Sequence, residues 1–101
     1  MLKIILGETL GTFFFLSVIL ATTSTKEVLA PLLIGLALTV AIYFCSKSSL
    51  GALNPAAAIA LYLRGDIKLQ VMFVYIISEV VGAILAFLWW MMTLSSYKHK
   101  K

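Results

Sequence analysis

Nine residues, Pro55 to Leu63, carry a clear helix start and a clear stop, yet they are too few to cross a bilayer. Asn54 is a favoured N-cap and Pro55 a favoured first helical residue, while Arg64-Gly65-Asp66 halts the run. At 1.5 Å per residue such a helix is about 13 Å long, less than half of a hydrocarbon core of about 30 Å. On either side lie apolar runs of a different kind. Leu2 to about Thr22, Val28 to about Phe44 and Leu69 to about Leu94 each approach or exceed the roughly 20 residues that a membrane-spanning helix needs. A short helix among spans can dip into the membrane and return to the side it came from. Segment 46–63 therefore reads as a re-entrant loop and half-helix.

Composition agrees with a membrane setting. Of the 101 residues, 62% are hydrophobic and 12% charged, about half the charge of an ordinary soluble domain. So few charges cannot solvate the surface of a compact soluble fold, and the length excludes a second domain or a large soluble enzyme core. The reading is a single all-α integral membrane domain over 1–101, with three transmembrane helices, one half-helix and a basic tail at 95–101. The net charge of +4 does not point to nucleic acid, because Lys and Arg flank the apolar segments instead of forming a patch. Lys3 before an apolar run is like a signal peptide, but Glu8 interrupts the run, so it reads as the first span. Trp89, Trp90 and Tyr97 close the last span with residues suited to the membrane interface. Cys45 is the sole cysteine, which excludes an intrachain disulfide.

Segment Ser49 to Leu53 has too little helix signal and too much apolar character for a surface loop. Irregular backbone at membrane depth is tolerated only where protein buries it or a water-filled cavity lies beside it. A half-helix whose N-terminus points to the bilayer centre would turn its positive dipole end and free N–H groups toward a pore. An interfacial helix lying on the lipid surface is the competing reading of the same residues.

Four patterns, in order along the chain, resemble the major intrinsic protein family, the aquaporins and aquaglyceroporins. Gly7-Glu8-Thr9-Leu10-Gly11-Thr12-Phe13 resembles the family's opening Glu-x-x-Gly-Thr-Phe. Gly35-Leu36-Ala37-Leu38-Thr39-Val40 resembles its Gly-Leu-Ala-x-x-Val. Asn54-Pro55-Ala56 resembles its Asn-Pro-Ala (NPA) signature, and Tyr75, Gly82 and Ala83 fit its third span. The resemblance covers nearly the whole chain but only the first half of the family's fold, which has six spans and two half-helices in inverted repeats. Met1 and the end Lys98-His99-Lys100-Lys101 read as natural termini, with a fragment of a longer chain as the alternative. The resemblance then implies an inverted, antiparallel homodimer that rebuilds one channel, with a tetramer of such dimers, eight chains, by analogy.

The same resemblance assigns roles. Asn54, Pro55 and Ala56 belong to the pore, with two Asn54 amides meeting near the midplane. Glu8 corresponds to a carboxylate that accepts hydrogen bonds from the re-entrant loop. Glu79 stands where the family often has Gln, a departure that leaves loop support and proton coupling as alternatives. The narrowest ring falls on Ile34, with Ile42, Gly51 and Ala57 from the partner copy. The family's usual Arg is absent at Ala57, so the ring is apolar and wide. Water and small neutral solutes (glycerol-like polyols, urea, ammonia) are the expected cargo.

Charge placement bears on orientation independently. Lys3, Lys47, Arg64 and Lys68 fall on one side and Lys26, Lys98, Lys100 and Lys101 on the other. Such a balance leaves almost no bias to fix a single topology. Two further classes fit size and charge: a dual-topology proton-coupled exporter using Glu8, and a holin-like or viroporin-like pore former. The expected location is the plasma or inner membrane. No catalytic constellation, metal-ligand spacing or phosphate loop is present, so no enzyme activity and no cofactor are expected. Small residues at Gly7, Gly11, Gly35 and the Ser78, Gly82, Ala86 series are expected to set helix contacts.

Overall fold

The computed structural model describes residues 1–95 and is built from four helices: α1 (Leu2–Ser24), α2 (Ala30–Cys45), α3 (Pro55–Arg64) and α4 (Leu69–Thr93). Tyr97, His99 and the lysines of the basic tail lie outside the described residues.

Local chemistry explains each boundary. At the end of α1, hydroxyls turn back on the chain: Thr22 Oγ1 donates to Val18 O at 2.8 Å and Thr25 Oγ1 to Ala21 O at 2.9 Å. These bonds serve carbonyls that helix termini otherwise leave open. The next helix starts at Ala30, two residues later than the expected Val28, because Pro31 suits the first turn of a helix and Lys26 takes a left-handed φ of 54° in the preceding turn. Helix α3 has Asn54 as its N-cap, with Asn54 Oδ1 accepting the Ala56 N–H at 2.8 Å. It ends where Gly65 adopts φ 91° and the Gly65 and Asp66 N–H groups donate to Tyr62 O and Leu61 O. That is a glycine-terminated helix stop.

Two helices, α1 with 23 residues and α4 with 25, are long and apolar enough to cross a membrane. Helix α2 is apolar but has 16 residues, about 24 Å of rise. Packing is centred on α1, which has α2 on one side and α4 on the other, while α3 lies against α4. Small residues make the closest approach. A Cβ added at Gly82 would stand 2.6 Å from Thr9 O, and one added at Gly11 would stand 2.6 Å from Cys45 Sγ. Ser78, Gly82 and Ala86 are all buried along one face of α4. Gly35 departs from the expectation: nothing in the chain lies within 4 Å of an added Cβ, because α2 turns that face away from α1.

The interior accordingly combines small and polar residues with a few larger ones (Leu53, Met72 and Tyr75), and the exterior is large and apolar. Glu8, Thr12, Ser78 and Glu79 are buried, whereas Leu36, Phe44, Ile77, Leu85 and Trp89 are exposed. A soluble protein partitions these residue types the other way, and helices in lipid associate through small residues as seen here.

Candidate functional site

The connection from α2 to α3 is held in place by side chains from two other helices. Leu53 N–H donates to Glu8 Oε1 at 2.9 Å, and Ser49 Oγ donates to Glu8 Oε2 at 2.5 Å. Ser49 Oγ also accepts the Gly51 N–H at 3.2 Å, and the Tyr75 hydroxyl accepts the Leu50 N–H at 3.0 Å. Lastly, the Cys45 thiol donates to Gly7 O. Backbone N–H groups that irregular chain would leave bare inside an apolar protein thus find acceptors on α1, α4 and within the loop.

This anchoring permits an unusual backbone. Gly51 and Leu53 both take left-handed φ, 66° and 52°. Glycine adopts that region freely, but for a leucine it costs roughly 1–3 kcal/mol and persists only where surroundings enforce it. Leu53 is 2% exposed and packs with Ala41 and Cys45, while its N–H is held by Glu8. The result is a loop that delivers Asn54 to the start of α3 at a fixed height.

That height is set by α4. Ala58 packs with Met72 and Tyr75, and the Asn54 N–H faces the Glu79 carboxylate. Glu79 lies ten residues, about 15 Å, from the start of a helix that runs about 37 Å. The N-terminus of α3 therefore reaches less than half-way along α4, level with Glu8 and Glu79. Its own surroundings are open: Asn54, Pro55 and Ala56 are exposed, and beside them a groove of about 370 Å³ is lined by Leu50, Gly51, Ala52, Ala57, Ala60, Leu61 and Arg64. Asn54 spends Oδ1 on its own helix, which leaves the amide Nδ2 of this exposed residue free to donate.

The residues singled out from the sequence fall into three groups. Glu8, Glu79 and Asn54 converge behind and at the helix end. Gly51 and Ala57 share the groove, and Ile42 lies against Gly51, with Ile42 Cγ2 3.4 Å from where a Cβ would stand. Ile34 is on α2, two turns before Ile42, and does not line the groove. Sequence reasoning missed Ser49 and Tyr75 as loop supports. Tyr75 precedes Glu79 by four residues, so helical spacing already placed it on the face that meets the loop.

Glu79 has an exposure of 1%, and neither of its carboxylate oxygens closes a hydrogen bond of ordinary geometry. Among the described residues, no group of three or more His, Cys, Asp or Glu side chains is arranged to hold a metal ion.

Comparison with known proteins returns one family. Neither curated proteins nor solved structures give a match. The family model of the major intrinsic proteins matches residues 1–101. With small residues inside, apolar residues outside and an Asn-Pro-Ala helix end anchored level with Glu8 and Glu79, the chain belongs to the major intrinsic protein family, whose members are membrane channels for water or small solutes and not enzymes.

Proposed function

We propose that the chain is a half-channel, and that two copies in opposite orientations enclose a passive pore for water and small neutral solutes. The observation that carries this reading is the exposed end of α3, where Asn54 uses Oδ1 for its own helix and its amide nitrogen has no partner among the described residues. A conduit needs wall on that side. A second copy turned over would bring its own Asn54 toward the first from the opposite side, since each half-helix starts part-way along α4 and not at its end.

In such a dimer α1, α2 and α4 span the bilayer and segment 46–63 re-enters from one face. Two Asn54 amides donate to a passing water or hydroxyl oxygen, and two facing helix N-termini oppose cations and a proton wire. The constriction takes Ile34, Ile42, Gly51 and Ala57. With no guanidinium among them, it is apolar and admits glycerol-like polyols, urea and ammonia as well as water. Four such dimers form the higher assembly. The near-even split of Lys and Arg between the two sides supports insertion both ways.

Stopped-flow light scattering on reconstituted vesicles tests the reading. Water, glycerol and urea permeabilities are each expected to rise above those of protein-free vesicles, and Asn54→Asp is expected to change ion exclusion. Water flux without solute flux would overturn the solute assignment, and neither flux would overturn the channel. Solute movement that requires a pH gradient would favour the exporter instead.

A further inference from the structure

Glu8 and Glu79 face each other inside the protein, and their hydrogen bonds do not balance as two anions. Both oxygens of Glu8 already accept, one from the Leu53 N–H and one from the Ser49 hydroxyl. Glu79 is buried beside it on α4, with both oxygens unpartnered and with the Asn54 N–H and the Glu8 carboxylate as the polar groups bearing on it. The other titratable groups facing this pair are the Cys45 thiol from α2 and the Tyr75 hydroxyl from α4, both neutral donors or acceptors. Among the described residues the one ion pair is Arg64–Asp66, away at the end of α3, so no cation compensates the two carboxylates.

We propose that Glu8 and Glu79 share one proton, and that protonated Glu79 is a positioning residue that seats Asn54. A single proton on Glu79 completes the cluster. It turns one Glu79 oxygen into a donor toward the anionic Glu8, and leaves the other to accept the Asn54 N–H. Without it, two adjacent buried anions repel across the α1–α4 contact, where neither is solvated. Loss of the proton to bulk water at high pH then pushes Glu79 and α4 away from the loop and unseats the helix end. Its effect on flux rests on the channel reading; the proton itself does not.

Two readouts separate these. Infrared spectra of the wild-type protein at about pH 7, where exposed carboxylates are ionised, are expected to show the C=O stretch of a buried carboxylic acid. The band disappears as pH is raised and is missing in Glu79→Gln, whose amide supplies the same donor and acceptor without titrating. In vesicles, wild-type water permeability is expected to fall as pH is raised, while Glu79→Gln stays flat at the wild-type acid value. Absence of the band from wild type, or its persistence in Glu79→Gln, overturns the proposal whether or not the vesicles conduct. A wild-type permeability that ignores pH, or a Glu79→Gln variant that keeps the wild-type profile, overturns the positioning role. A protein that conducts at no pH but shows the band refutes the channel and leaves the shared proton standing.

Discussion

Glu8 Oε1 on α1 accepts the Leu53 N–H at 2.9 Å, a bond between residues 45 positions apart in sequence. It fixes the last residue before the Asn54 cap, and it does so in a left-handed conformation that a leucine would not choose alone. Glu8→Ala is expected to leave the Leu53 N–H and the Ser49 hydroxyl without this acceptor, at about 1–3 kcal/mol for each buried donor. Thermal unfolding in detergent should drop accordingly, and vesicle water permeability should fall with it. Glu8→Gln retains an acceptor for one donor and should fall less.

Close packing of α4 on α1 makes Gly82 the least tolerant glycine. An added Cβ would meet Thr9 O at 2.6 Å, Thr12 Cβ at 3.0 Å and Phe13 N at 3.1 Å, two of them backbone atoms that cannot swing aside. Gly82→Ala is expected to cost about 1–3 kcal/mol of stability through forced separation of the helices. Gly35→Ala, with nothing within 4 Å, is expected to stay within about 0.5 kcal/mol in the same unfolding measurement. Equal losses would contradict the packing described here.

The helix start of α3 was legible because its signals are local. Asn54-Pro55 at one end and Arg64-Gly65 at the other act within a turn of themselves, and the observed helix, Pro55–Arg64, differs from the expectation by one residue. The start of α2 was less legible, since Val28 and Leu29 are apolar enough to extend the span, and only the polar turn around Lys26 and Glu27 with Pro31 behind it delays the helix. Least legible were the loop contacts. Ser49 reaches Glu8 across 41 positions and Tyr75 reaches Leu50 across 25, and no local rule pairs residues so far apart. Gly35 shows the converse error: a small residue on an apolar helix signals a close contact only if a neighbour is there, and in the single chain none is.

Selectivity is open to a gain-of-restriction test. Ala57 and Gly51 line the same groove, in which the charged side chain is Arg64, paired with Asp66. Ala57→Arg is expected to narrow the constriction and reduce glycerol and urea permeability by roughly tenfold or more, in line with the few kcal/mol that a desolvation barrier supplies. Water permeability should persist. Stopped-flow traces for the three permeants decide it, and an unchanged solute flux would place the constriction elsewhere.

Asn54 has two duties that a pair of substitutions can separate. Asn54→Ala removes the cap on the Ala56 N–H, at about 1 kcal/mol, and removes the outward amide as well. Asn54→Asp keeps the cap but replaces the amide donor by an acceptor. Stability should fall for Asn54→Ala and hold for Asn54→Asp, while both should lower water permeability. A fully permeable Asn54→Asp protein that still excludes ions would remove the amide from the pore.

In the proposed pore the chain inserts in both orientations and pairs with its inverted copy. Val28→Cys in a Cys45→Ser background puts a single thiol in the turn between α1 and α2, at an exposed position, and leaves every Lys and Arg in place. Treatment of intact cells with a membrane-impermeant thiol reagent is expected to label about half of the molecules, with the remainder labelled only after the membrane is opened, in keeping with the balanced flanking charge. Labelling of all molecules, or of none, in intact cells would contradict the inverted pair.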